Sequence, residues 1–218
     1  CGTREIMPRI SGRSGTVLSL GSGLSMLERY LAELEPGLRF DGVDLDPVKV
    51  ELIARTRHLS PRVSLRLGDA TRLDGPADRG AKGADDGSDD GADHTPTGIR
   101  EDDDAANGAE TYDIVLICDA MHHFPAEVHG DVLRSVAGVL RPGGMVVVKD
   151  LDAGPAWKYH WNRIHDRIVA GPEPIHCRPP AEMAALVTAA GLVVERADRI
   201  DHALTPYAHY LIRATKPT

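Results

Sequence analysis

The stretch TVLSLGSGLSMLERYLAELEPGLRFDGVDLDP, residues 16–47, decides the fold. TVLSL (16–20) is an apolar, β-branched run of strand length that passes directly into GSGLS. Gly21 and Gly23 give that turn its backbone freedom and let the main chain approach a ligand at the start of the next helix, expected over Ser25–Glu35. RFDGVD (39–44) is a second strand, and a second helix starts at Pro47, with Asp46 as its N-cap. A strand, a helix and a strand in so short a span imply a parallel sheet.

Outward from this unit the alternation continues. RVSLRL (62–67) is a third strand, and DIVLIC (113–118), apolar almost throughout, is a central fourth. A helix over Glu127–Leu140 stops at RPGG and leads into the strand MVVVKD (145–150). The last third holds helices near 155–169 and 180–190 and the strands LVVERADR (192–199) and HYLIRAT (209–215). Their connection, DHALTPYA, is too short for a helical crossover and implies an antiparallel hairpin. In AWKYHWNRIHDRI (156–168), Trp157, Trp161, Ile164 and Ile168 recur at helical spacing and are expected to form the buried face, with His160 and His165 at its margins.

Between strands three and four, residues 74–111 are rich in Gly, Ala and Asp, with 12 acidic against 3 basic residues. Such a segment cannot bury enough surface to order itself and is expected to be a disordered insertion. It accounts for the net charge of −8, so the remainder is near neutral and offers no basic face for a nucleic-acid partner. The 218 residues suit one domain, 1–218, with a helical segment at about 153–178 covering the substrate. No run is apolar enough to span a bilayer, no secretory opening is seen, and three dispersed cysteines are expected to be reduced thiols, so a cytoplasmic protein is expected. No metal is expected, and the oligomeric state is not encoded legibly.

Asp44, about twenty residues after the glycine turn, is placed to accept hydrogen bonds from both hydroxyls of a ribose. His122 and His123 follow strand four at the sheet's carboxyl edge, where open α/β sheets bind ligands; a local backbone-bonded pair reads the same way.

Taken in order, GSG, GVDLDP, LGDATRL, YDIVLICDAMHHF and LRPGGMVVV resemble the successive motifs of class I S-adenosylmethionine-dependent methyltransferases. The resemblance covers most of residues 16–150. It implies a three-layer α/β/α Rossmann-like fold with a mostly parallel seven-stranded sheet and an antiparallel last strand. It also implies that Gly21, Ser22 and Gly23 lie against the methionine part of the cofactor, that Asp44 binds the ribose, and that Leu45 packs on the adenine. Asp69 and Ala70 would meet the adenine, while Cys118, Asp119 and His123 would border the methionine portion and the sulfonium. Two departures stand out. Ser19 replaces the acidic residue two before the first glycine, leaving the usual contact to the cofactor's amino group without its residue. Ser25 replaces the third glycine, and a serine there is a natural N-cap.

The absent third glycine also argues against a nicotinamide dehydrogenase. The expected activity is methyl transfer from S-adenosylmethionine to a small-molecule acceptor, first of all a hydroxyl oxygen, with carbon or nitrogen as alternatives. An oxygen acceptor must lose a proton, which makes His123, His160 and His165 candidate general bases. The competing reading is a catalytically silent methyltransferase-like domain that binds cofactor or a partner protein.

Overall fold

In the computed structural model, residues 3–55, 60–73, 111–169, 175–200 and 207–218 are described. The expected insertion, 74–111, lies outside them apart from Thr111. The elements are α1 (Thr3–Ile10), β1 (Gly15–Leu20), α2 (Met26–Leu34), β2 (Leu38–Asp44), α3 (Pro47–Arg55), β3 (Val63–Leu67) and β4 (Tyr112–Cys118). They continue as α4 (His129–Val139), β5 (Leu140–Leu151), α5 (Ala156–Val169), α6 (Pro180–Ala189), β6 (Val193–Arg199) and β7 (His209–Thr215).

The strands form one seven-stranded sheet in the order β3-β2-β1-β4-β5-β7-β6. β1 to β5 pair in parallel, and β7 runs antiparallel to both neighbours, as the short connection before it requires. Strand order reverses between β1 and β4, so their carboxyl ends diverge into a crevice where such sheets bind ligands. Two apolar clusters flank the sheet. One gathers Leu18, Val115 and Ile117 with Val132, Val136 and Val187 from α4 and α6. The other gathers Val17, Ile114 and Leu116 with Leu31 of α2 and Ile6 and Ile10 of α1. Alternate residues of β1 and β4 thus point into opposite layers, and Ile114 to Ile117 are all buried.

Three readings need correction. The helix α1 was not anticipated: it is short and carries Pro8, and only the Ile6/Ile10 spacing hints at it. Ser25 stands at the N-cap of α2 in a left-handed conformation, φ 52°, and its side chain makes no capping bond. The third correction concerns α5. Trp157, Trp161, Ile164 and Ile168 share a face, but that face is exposed, at 46–78%, while Lys158 and Asn162 are buried. Periodicity fixes which residues share a helix face, not which face turns inward. Asp46 does cap α3 as expected, accepting the Val48 N–H at 2.9 Å.

Candidate active site

The turn after β1 is held by Gly21 and Ser22 N–H donating to the Val43 carbonyl at 2.9 and 3.3 Å, and by Ser25 N–H donating to Ser22 O. Gly21 and Gly23 have φ of 66° and 55°, a region that other residues enter at a cost. A Cβ on Gly21 would lie 2.7 Å from the Ala120 side chain, whereas one on Gly23 would meet nothing within 4 Å. Gly21 is thus required by packing, and Gly23 faces open space beside the turn.

Beyond this turn a cavity of about 520 Å³ lies between the ends of β1 and β4 and the start of α2. Its wall includes Ser19, Gly21, Ser22, Glu28, Cys118 and Asp119, with Leu24, Met26 and Tyr30 at its outer part. Asp44 flanks the turn from the β2 side, nearly buried, and its carboxylate accepts the Gly23 N–H at 2.7 Å and the Asp46 N–H at 2.9 Å. At the end of β3, Asp69 accepts from the Thr71 N–H and hydroxyl, both at 2.8 Å. These bonds hold its carboxyl below the ordinary carboxylate range, despite its exposure. Leu45 is exposed and Ala70 buried. The sequence-predicted cofactor residues therefore lie along adjacent strand ends; Gly21, Ser22, Cys118 and Asp119 belong to the cavity wall, whereas Gly23, Asp44, Leu45, Asp69, Ala70 and His123 stand outside it.

The histidines divide. His122 is buried, with its ring against the Asp150 carboxylate and its backbone N–H donating to the same group at 3.0 Å. Burial and this pairing make it part of the structure of the β4–β5 edge. His123 is exposed, with its ring centroid 4.1 Å from that of His122. His160 lies on exposed α5, away from the cavity wall, with its ring 5.8 Å from that of Tyr159. The His165 side chain lies outside the described residues.

Sequence reasoning named Asp119 but missed the two side chains that face it, Lys149 and His209. Asp119, in a left-handed conformation (φ 53°), receives both its hydrogen bonds from buried Lys149, at 2.5 and 2.6 Å. His209 Nε2 is 3.5 Å from the same carboxylate. Burial, and then the Lys149 charge, lower the His209 pKa to about 4, so its imidazole is neutral at physiological pH. Cys118 beside them is pushed up by burial and remains a thiol. The available signal was Lys149, a charge ending the VVVKD run where a central strand should be apolar.

Glu28 was missed as well. It lies on the buried face of α2 with Leu31 and Ala32, a register an acidic residue seldom occupies. Its carboxylate accepts the Ser19 hydroxyl at 2.5 Å, and its other oxygen is buried with no partner among the described residues.

Strand order, a glycine turn at the reversal point and acidic residues at the neighbouring strand ends define a class I methyltransferase fold. A family model described as a methyltransferase domain matches residues 18–146, more than half of the chain, and the chain belongs to that family. It is a methyltransferase that uses S-adenosylmethionine.

Solved structures share the fold. One belongs to the complex between the Haloferax volcanii Trm112 methyltransferase activator and a methyltransferase (TM-score 0.67, 19% identity, covering 99% of this chain and 88% of that one). Another is an S-adenosylmethionine-dependent methyltransferase from Methanosarcina mazei (0.65, 15%, 97% of each chain). A third is the Burkholderia thailandensis 1,6-didemethyltoxoflavin-N1-methyltransferase, with its substrate and S-adenosylhomocysteine bound (0.63, 18%, 99% and 76%). No curated protein matches.

The residues present suit the cofactor. Gly23 leaves room beside the turn, and Glu28, with one carboxylate oxygen unpartnered among the described residues, belongs to the cavity wall.

Proposed function

We propose that this methyltransferase acts on a hydroxyl oxygen of a small molecule. The carrying observation is the His209 imidazole, whose Nε2 stands 3.5 Å from the carboxylate of Asp119, a residue of the wall of the cavity between β1 and β4. Gly21, Ser22, Gly23, Cys118 and Asp119 hold the methionine part of S-adenosylmethionine. Asp44 receives the ribose hydroxyls, Leu45 covers the adenine, and Asp69 and Ala70 border it. Bound there, the cofactor supplies an electrophilic methyl group on a sulfonium. Displacement at that carbon needs alignment above all, which rigid strand ends provide.

His209 accepts the acceptor's proton, and Lys149 fixes Asp119 so that the carboxylate stays directed at this corner. So weak a base suits an acidic, phenol-like hydroxyl better than an alcohol. His123 and His160, both exposed, are the alternative bases, together with His165. A single domain, with the segment from about 153 to 178 covering the substrate, belongs to the same reading.

Calorimetric titration with S-adenosylmethionine and S-adenosylhomocysteine, alongside Asp44→Ala, tests the cofactor site. Micromolar binding that the variant loses is the expected result, and phenolic acceptors should then yield S-adenosylhomocysteine at a rate that His209→Gln lowers. A wild-type protein that binds neither ligand would refute the reading and favour a partner-binding domain.

A further inference from the structure

We propose that Glu28 receives the ammonium group at the methionine end of S-adenosylmethionine and makes the site selective for ligands that carry that ammonium. The inference rests on the cofactor site proposed above. It starts from an imbalance: a carboxylate has lone pairs for about four hydrogen bonds, and burial makes each empty one costly. Glu28 is 2% exposed, lies on the cavity wall, and has one oxygen bonded to Ser19 and the other to nothing among the described residues. Among the described residues, the groups acting on it bring no compensating cation. Asp44 on β2 adds negative charge, Cys118 on β4 is a neutral thiol, and Asp119 is already paired with Lys149.

The open valence therefore asks for a cation with N–H donors. The methionine end of the cofactor carries two positive groups, and only the ammonium donates hydrogen bonds; a sulfonium has no proton to give. Ser19 explains the arrangement. The end of β1 carries no carboxylate of its own at Ser19, and the Ser19 hydroxyl steers one arriving from α2, nine residues later, to that strand end.

The test compares wild type and Glu28→Gln for binding of S-adenosylmethionine, S-adenosylhomocysteine and 5′-methylthioadenosine, which keeps the adenosine and sulfur but lacks the ammonium. Glu28→Gln should weaken the first two alike, on the order of tenfold or more, and leave the third unchanged. Adding Ser19→Asp to that variant should recover part of the loss. Equal weakening of all three would overturn the proposal by making Glu28 a support of pocket shape. Weakening of S-adenosylmethionine alone would overturn it by assigning Glu28 to the sulfonium, and no change would remove Glu28 from the site.

Should Glu28→Gln fail to fold, wild type decides. Its preference for S-adenosylhomocysteine over 5′-methylthioadenosine should fall as acidification protonates Glu28, and a constant preference would overturn the proposal. Wild type that binds none of the three ligands would defeat the cofactor reading itself, and the inference with it.

Discussion

Ser19 and Glu28 share a single short hydrogen bond, and the forces around it set how the cofactor-free protein responds to pH. Burial raises the Glu28 pKa, and the Ser19 bond offsets only part of that rise. The folded state thus holds the Glu28 proton more tightly than the unfolded chain does. This contribution to stability is complete below the ordinary carboxylate range and is lost as pH rises through the raised folded-state value. The melting temperature should therefore decline across that interval more steeply in wild type than in Glu28→Gln; parallel profiles would contradict the account. His209 gives a second titration, facing Lys149, Asp119 and Asp150. With a pKa lowered to about 4 it stays neutral down to mildly acidic pH, so turnover should be level there and fall as His209 protonates. A loss of rate centred near neutrality would point to a different base. Neither residue was legible in the sequence as a site, because each acts through a partner on another element: Glu28 of α2 through Ser19 of β1, and His209 of β7 through Asp119 just beyond β4.

At the level of elements, β4 carries the sheet. Leu116 is fully buried, packs in the layer with α1 and α2, and has β1 and β5 on either side. Leu116→Ala should cost about 2–5 kcal/mol, because its close-packed surroundings can only partly collapse into the gap. Urea denaturation measures this directly, and a loss below about 1 kcal/mol would mean that β4 is not central to stability. The order of elements was readable because apolar runs, glycine turns and capping residues all pointed to one alternation. Ala156–Val169 was read with its faces inverted for a physical reason. A strand flanked by strands must be apolar, whereas a helix following the sheet's edge can dock through Lys158 and Asn162 and leave its tryptophans outside. No periodicity distinguishes these two cases.

For the whole molecule, ligand and fold are linked by mass action. A ligand held only by the folded state at about a hundred times its dissociation constant stabilises it by about 2.7 kcal/mol. In a chain of this size that should raise the melting temperature by roughly 5–10 °C with S-adenosylhomocysteine. No rise at saturation would mean that the ligand engages no folded site. Reading such melts optically has a complication built into the chain. Its only two tryptophans, Trp157 and Trp161, both stand on the outer face of α5 and are already half in water. Their emission should shift little when the core melts, so circular dichroism is the better monitor of global unfolding. The same indoles form a local optical probe: anything that covers α5 should move their emission to shorter wavelength, with no label attached.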